Sequence, residues 1–393
     1  LSPARQVAFG VLQEVELGAP AADLLRVRAA ALDRRDAALA TELVLGTLRY
    51  QNQLDHLLRR YAGRAPEKLD REVRIALRLG VYQLRYLDRI PRHAAVDDSV
   101  EMMYLARKRS ATGFVNAILR KVTRDPVEWP SHAVAVGLPE WLWNRWSAEF
   151  GAERAKCVAR ACLTPPETYL RVPPNRKDEA EPLRIEKTAV PGCCRLLGDH
   201  PGPFRIQDIG SQTIVPLLDL QPGMRFLDVA AAPGNKTAQA LESGVRAVAC
   251  DASYRRLSEM PRLECPLAVA DACRTLPFPP VFDRILLDAP CSGTGTLRRN
   301  PEIKWRVTEK DLVVHQERQV RMLTHAVQCL VTGGRLVYST CSLEREENEM
   351  VVQQVLDSEP MLHLEMQMRR FPGEQPGDGF FAAVITWKKP LSG

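Results

Sequence analysis

Apolar residues recur at helical spacing from Pro3 to about Arg124. Val7, Val11, Leu12 and Val15 set the first face, and Leu39, Leu43, Leu54, Leu57 and Leu58 continue it. Val73, Ile75, Ala76, Leu79, Val81, Tyr82 and Leu84 form a third segment. Val100, Met103 and Tyr104, then Phe114, Val115, Ile118 and Leu119, follow. Such spacing predicts amphipathic helices. Asp97 or Asp98 is a candidate helix cap, and Ser110 to Gly113 separates two helices. The breaks are short, which argues for a compact all-α bundle.

From Met224 the pattern changes to short apolar runs alternating with helical stretches. Strands are expected near 225–229, 246–250, 266–270, 283–287 and 335–339, with helices near 236–243, 253–260, 308–330 and 345–357. Phe380 to Trp387 alternates like a final strand. This order is that of an α/β, doubly wound, Rossmann-like sheet. Between the two patterns, Asp-Pro-Val-Glu-Trp-Pro (125–130) marks a boundary. Trp141, Trp143 and Trp146 then share one helix, fit either for stacking bases or for packing. Thr-Tyr-Leu-Arg-Val (168–172) and Ile-Gln-Asp-Ile-Gly-Ser-Gln (206–212) suggest a small α+β insert. The expected division is therefore 1–128 helical, 129–205 linker and insert, and 206–393 catalytic.

Composition narrows the function classes. The chain has 393 residues, 45% of them hydrophobic and 26% charged, ample for two or three cored domains. No run approaches a membrane span, and the opening Leu-Ser-Pro-Ala-Arg-Gln lacks a signal-peptide core. The absence of an initiator Met is compatible with a short leader ahead of Leu1. Ten scattered cysteines without any Cys-x-x-Cys pair read as reduced thiols of a cytoplasmic protein, neither a disulfide frame nor a metal site. A monomer is expected. Residues 1–130 carry 22 Lys and Arg against 16 Asp and Glu, so the whole net charge of +6 lies there. A polyanion, most simply nucleic acid, would suit that surplus, and so would a merely solvated helical face.

Candidate chemistry gathers where the strands end. In an open α/β sheet, ligands bind outside the carboxyl ends of the strands. Cys291 in Asp-Ala-Pro-Cys-Ser-Gly and Cys341 in Ser-Thr-Cys-Ser each close an expected strand, so both thiols would face one crevice. The turn Ala230-Ala231-Ala232-Pro233-Gly234-Asn235-Lys236 links a strand to a helix, and its small residues would let a cofactor approach the backbone. It is not a P-loop, because Asn235 stands where Gly must precede the Lys, nor is there a Gly-x-Gly-x-x-Gly. Asp251, Asp271 and Asp288 close three strands, placing Asp251 for ribose hydroxyls and Asp271 for an adenine edge. A zinc deaminase is disfavoured, since Thr294 stands where its second cysteine belongs and His363-Leu364-Glu365 comes too late. Cys157, Cys162, Cys193, Cys194, Cys250, Cys265, Cys273 and Cys329 read as packed side chains. Two thiols beside a nucleotide-like cofactor suggest nucleophilic attack on an electrophilic ring carbon.

Several longer motifs carry a family resemblance. Arg-Gln-Val-Ala-Phe-Gly-Val-Leu, Val-Leu-Gly-Thr-Leu-Arg-Tyr (44–50), Arg-Ile-Ala-Leu-Arg-Leu-Gly-Val-Tyr-Gln-Leu (74–84) and Gly-Phe-Val-Asn-Ala-Ile-Leu-Arg (113–120) resemble the NusB domain, an all-helical RNA-binding bundle. Leu-Asp-Val-Ala-Ala-Ala-Pro-Gly-Asn-Lys-Thr (227–237), Leu-Leu-Asp-Ala-Pro-Cys-Ser-Gly-Thr-Gly (286–295), Arg-Arg-Asn-Pro-Glu (298–302) and Tyr-Ser-Thr-Cys-Ser-Leu-Glu-Arg-Glu-Glu-Asn-Glu (338–349) resemble RNA 5-methylcytosine methyltransferases of the Nol/Nop/Sun family. That family usually has Cys-Ala-Ala-Pro-Gly-Gly-Lys in the cofactor turn. Here Ala230 and Asn235 replace its Cys and second Gly, so Asn235 is expected to adopt whatever backbone the Gly served.

The resemblance implies an S-adenosylmethionine cofactor held by residues 230–236, Asp251, Arg256, Asp271 and Asp288, with an RNA substrate, rRNA foremost. It gives Cys341 the attack on cytosine C6 and Cys291 the removal of the C5 proton. Asp288 would meet the N3 edge of the base, with Lys236 orienting it. A catalytically idle RNA-binding factor, a tRNA substrate and a DNA cytosine enzyme using its Pro-Cys thiol are the alternatives. Intact cysteines and cofactor turn argue against the first. The Thr-Cys cysteine and helical front region argue against the last.

Overall fold

The computed structural model describes residues 1–199 and 202–387. The chain divides into two compact units, Leu1–Pro165 with Leu297–Arg306, and Pro166–Thr296 with Val307–Gly393. The expected boundaries at 128/129 and 205/206 mark changes in sequence character, whereas these units follow packing. We keep the three-part division as a functional proposal.

The first unit is built from α1 (Pro3–Val15), α2 (Ala21–Arg28), α3 (Arg34–Arg49), α4 (Gln51–Ala62), α5 (Arg71–Tyr86), α6 (Arg92–Leu105) and α7 (Thr112–Arg120). It continues through α8 (His132–Ala135), α9 (Glu140–Phe150) and α10 (Ala152–Ala161). Phe9, Leu43, Leu54, Leu57, Leu58, Ile75 and Leu79 meet in one core. Truncating a buried leucine there, as in Leu57→Ala, costs about 2–5 kcal/mol. A Cβ on Gly46 would lie 2.0 Å from the Tyr82 hydroxyl, so α3 and α5 approach closely only because Gly stands there.

Two expectations change here, and the packing reading of the tryptophans is supported at one of them. Asp97 and Asp98 cap nothing: both lie inside α6, and Asp98 instead pairs with Arg5 at 3.1 Å. The short helix α2, with only Ala21 and Leu25 buried, was not foreseen. Of the three tryptophans on α9, Trp146 is fully buried beside Phe150, which is packing.

The second unit opens with a four-stranded antiparallel sheet of β1 (Tyr169–Arg171), β2 (Ile185–Lys187), β3 (Cys193–Leu196) and β4 (Arg205–Ile206), in the order β2-β3-β1-β4. The short helix α11 (Ile209–Gln212) leads to a seven-stranded sheet. Its strands are β5 (Arg225–Asp228), β6 (Arg246–Asp251), β7 (Leu267–Val269), β8 (Phe282–Asp288), β9 (Leu330–Thr340), β10 (Leu362–Arg370) and β11 (Phe380–Trp387). Helices α12 (Asn235–Leu241), α13 (Tyr254–Ser258), α15 (Glu309–Val327) and α16 (Glu349–Ser358) alternate with them, while α14 (Ile303–Arg306) belongs to the first unit.

The strand order is β10-β11-β9-β8-β5-β6-β7. Strands β5 to β9 pair in parallel, and β11 enters antiparallel to β9. The winding reverses between β5 and β8, the place where an open sheet makes its crevice. Leu227, Ile285, Leu287, Leu336 and Tyr338 form the core on one side. Strand β10 was not expected: its Leu-His-Leu-Glu-Met-Gln-Met-Arg-Arg sequence is polar and largely solvated, as an edge strand can be.

Candidate active site

The cofactor turn leaves β5 at the switch point and enters α12. Gly234 carries the left-handed backbone, φ +93°, and a Cβ there would strike Met260 Cε at 2.7 Å. Asn235 is therefore corrected: it is the first residue of α12, and the positive φ belongs to its neighbour. Its side-chain amide donates to the Ile206 carbonyl at 3.4 Å. Ala231 N–H donates to the Cys250 carbonyl at 2.8 Å, tying the turn to β6. Ala230, Ala232 and Pro233 complete the loop.

Asp251, at the end of β6, is buried and accepts from the backbone N–H groups of Ala232 (3.3 Å) and Ser253 (2.9 Å). Arg256 clasps the arrangement, pairing with Asp251 at 3.1 Å and donating to the Ala232 carbonyl at 2.5 Å. Asp271 differs. It lies exposed, two residues past β7, and its carboxylate accepts from Cys273 N–H at 3.0 Å, a bond that lowers its pKa.

Asp228 escaped the sequence reading, although it stands at the strand end immediately before the turn. Its Oδ2 accepts from Thr237 Oγ1 at 2.6 Å, which locks α12 to β5. Its Oδ1 is buried without a hydrogen-bond partner, and burial pushes its carboxyl up to about 7. A buried acceptor lacking a donor is costly. An ammonium or hydroxyl donor of a ligand would relieve it, so the turn fits an amino-acid-bearing nucleoside such as S-adenosylmethionine.

On the other side of the switch point, Lys236 Nζ donates to Asp288 Oδ2 at 2.6 Å, and Ser339 Oγ donates to Asp288 Oδ1 at 2.7 Å. Burial alone would lower the Lys236 ammonium. The Asp288 carboxylate, with Cys341 and Asp228 nearby, holds it above its ordinary value instead. Cys291 and Cys341 face each other with sulfurs 3.4 Å apart, within hydrogen-bond reach. The Cys291 thiol is raised well above the usual range by that bond to Cys341, by burial, and by the charges of Cys341 and Glu347. Elsewhere burial pushes Cys250 up to about 12 and Cys193 and Cys329 to about 11, which suits inert packed thiols. Cys157 departs from the packed reading, since it is exposed.

Glu347 was also missed. It is fully buried between the two cysteine loops. It accepts from Ser292 N–H (2.7 Å), Ser292 Oγ, Ser342 Oγ (2.5 Å) and Gln319 Nε2 (3.2 Å). Only its place in the acidic run 344–349 could have hinted at it. Among the described residues no group of three His, Cys, Asp or Glu could hold a metal ion, and no helix is long and apolar enough to cross a membrane.

Strand order, cofactor turn and paired strand-end thiols define the class: a Rossmann-like methyltransferase that uses S-adenosylmethionine. Comparison with known proteins agrees. Residues 215–386 match the family model for the 16S rRNA methyltransferase RsmB/F, and residues 2–124 match that of the NusB family. Ribosomal RNA small subunit methyltransferase B of Klebsiella pneumoniae (strain 342) is 32% identical, over 97% of each chain. The protein of that name from Yersinia pseudotuberculosis serotype O:1b is 34% identical over 90% of this chain and 91% of its own. Among solved structures, PH0851 superposes with a TM-score of 0.82 at 22% identity, covering 98% of this chain and 99% of that one. NSun6 from Pyrococcus horikoshii with SFG covers 64% of this chain and 99% of its own, with a TM-score of 0.56 at 21% identity. The chain belongs to the RsmB/F family of rRNA methyltransferases.

Proposed function

We propose that this protein methylates carbon 5 of a cytosine in small-subunit rRNA through a covalent adduct between Cys341 and C6. The observation that carries this reading is the thiol pair, 3.4 Å apart beside the Lys236–Asp288 ion pair. Cytosine C5 is a weak nucleophile. When the Cys341 thiolate bonds to C6, the C5–C6 π electrons move to C5, which becomes able to take a methyl. S-adenosylmethionine, when bound, would supply that methyl from its sulfonium and leave as the thioether S-adenosylhomocysteine. Removal of the C5 proton then restores the C5–C6 double bond and expels the Cys341 thiolate.

The shared hydrogen bond supports assigning the C5 proton to Cys291. In the free enzyme the contact with Cys341 and burial favour the protonated form of Cys291, and either sulfur can donate in the shared bond. Once Cys341 is a thioether it carries no charge and offers a weaker acceptor, so two causes of the raised Cys291 pKa are relieved. Cys291 becomes easier to ionise as the C5 proton has to leave. Asp288 already accepts two bonds, but a carboxylate has about four acceptor sites. That leaves it acceptor sites for the N4 amino protons beside N3 on the edge of the base, with Lys236 anchoring it. Asp251 takes the ribose hydroxyls, Arg256 keeps the turn closed, and Asp228 takes the cofactor ammonium. Asp271 would meet the adenine edge. The base must leave its stack to expose C6, which favours unpaired or flipped RNA.

Bisulfite mapping of rRNA from a strain lacking the gene tests the whole reading. One cytosine of the small-subunit RNA should lose its 5-methyl mark and regain it on complementation. An unchanged rRNA map with a mark lost from tRNA would move the substrate, and no change in either would leave an idle RNA-binding factor.

A further inference from the structure

Two loops at the ends of β8 and β9 must present their sulfurs to the same base, yet 50 residues separate Cys291 from Cys341. Each cysteine is followed by a serine, and both serines turn inward to a single carboxylate. Ser292 gives Glu347 its backbone N–H and its hydroxyl, and Ser342 gives its hydroxyl. The two hydroxyls also lie 3.2 Å from each other. Thr294 completes the knot, reaching Ser342 Oγ at 3.3 Å and accepting from Leu343 N–H at 2.9 Å. Glu347 is itself fixed from behind. Tyr338 Oη donates to its carbonyl at 2.5 Å, and Gln319 Nε2 reaches its carboxylate while also donating to the Pro290 carbonyl at 2.9 Å. Asn348 continues the clamp, donating to the Ser342 carbonyl at 3.0 Å and accepting from Thr340 Oγ1 at 2.5 Å.

We propose that Glu347 is a positioning residue that ties the two cysteine loops together and so keeps the reacting thiols paired. A fully buried carboxylate costs free energy unless its acceptor sites are filled, and here the donors that fill them come from both loops. The cost of burial is thereby converted into a fixed spacing between sulfurs. Glu347, fully buried, has no surface open to base or cofactor; it acts through Ser292 and Ser342. The inference rests on the two-thiol mechanism proposed above.

The test compares Glu347→Asp, which keeps the charge but withdraws it by one methylene, with the isosteric Glu347→Gln. Three quantities are read on the full chain: kcat with KM for S-adenosylmethionine, the rate of Cys291–Cys341 disulfide formation with diamide, and the melting temperature. Diamide accepts the two hydrogens as the S–S bond forms, so its rate gauges the spacing of the sulfurs. Misplacing reacting groups by about 1 Å costs on the order of a hundredfold. Glu347→Asp should lower kcat by about that factor and slow the cross-link, while KM for the cofactor stays within about twofold. Glu347→Gln should do the same to a smaller extent. Unchanged kcat and cross-linking in both variants would overturn the proposal, as would equal damage to kcat and cofactor KM. Should Glu347→Asp fail to fold, Glu347→Gln decides on the same readings. If the wild-type enzyme made no 5-methylcytosine, the functional reading would fall, and the cross-linking rates would still decide whether Glu347 is the clamp.

Discussion

Both units bury ionisable side chains, and they use them differently. In the catalytic unit Asp228, Asp251 and Glu347 are each at most 3% exposed; the first two close β5 and β6 beside the cofactor turn, and Glu347 lies in the turn before α16, against the thiol loops. In the helical unit Arg49, Glu302 and Lys304 are equally buried, yet they only hold chain to chain. Lys304 Nζ donates to the Arg49 carbonyl at 2.8 Å, and Trp305 Nε1 to the Leu48 carbonyl at 2.7 Å. These carbonyls end α3, where a helix leaves acceptors unmet and favours a cation. Arg49 returns a bond to the Arg298 carbonyl at 3.0 Å, and Glu302 accepts from Ala21 N–H at 3.1 Å. The same desolvation cost thus supports reactivity in one unit and anchorage in the other. Burial of a charge, taken alone, identifies neither.

The contrast can be broken most sharply at the thiols. Cys341→Ala should abolish methylation and give no covalent RNA adduct on a denaturing gel with RNA and cofactor. Cys291→Ala should instead accumulate the adduct, because methylation proceeds and release stalls. An adduct from Cys341→Ala and none from Cys291→Ala would reverse the roles.

The cofactor side comes next. Asp251→Ala removes a buried charged acceptor of two backbone N–H groups, a loss of about 1.5–3 kcal/mol, or on the order of ten- to a hundredfold in cofactor affinity. Asp271 is exposed and locally bonded, so Asp271→Ala should weaken binding only by about twofold to fivefold, within the range of one neutral hydrogen bond. Calorimetry with S-adenosylmethionine checks both, and unchanged affinity in the two variants would remove the carboxylates from the cofactor site.

In the helical unit the expected effect is on stability. Burial pushes Lys304 down to about 7, while the unfolded chain holds that proton to about 10.5. Between those values folding releases a proton, so stability should rise with pH through that window. It should be flat below about 7, where both states are charged. Melting curves of the wild type and Lys304→Met from pH 6 to 9 should therefore diverge in slope. Parallel curves would show that Lys304 keeps its charge when folded.

The smallest effect concerns the surface. Arg89 and Lys121 are exposed on the basic front region. Reversing both to Glu should weaken rRNA binding and reduce the salt slope by about 1–2, at roughly 0.7–0.9 per phosphate contact. An unchanged slope would make that charge a merely solvated face.

What the sequence made legible follows the range of the interactions. The faces of α1, α3 to α5 and α7 could be read because helical periodicity is local; on α6 the expected Tyr104 is exposed, and Ala95, Val96 and Met102 are buried beside Met103. Strands β5, β6, β8 and β11 could be read because buried runs are dense in β-branched and aliphatic residues. The turn at Gly234 was recognisable from spacing, since φ +93° demands a glycine or something close to it. Glu347 was not, because its partners lie 5, 28 and 55 residues away and nothing in Arg-Glu-Glu-Asn-Glu distinguishes the inward carboxylate. Edge strand β10 lacked a buried face, and Asp98 resembled a cap until its partner Arg5 emerged. Asp228 was hidden by adjacency to a louder motif.

Residues Leu297–Arg306 pack with the helices although the chain on either side packs with the sheet. The polypeptide therefore passes between the units three times, after Pro165, after Thr296 and after Arg306. For protein engineering this means that the front helices are not a detachable cassette. A graft or truncation made at residue 165 would strand a ten-residue guest whose Leu297 and Lys304 are built for an interior. Any exchange of the front module, by recombination in a laboratory or in a lineage, has to carry that loop along with it.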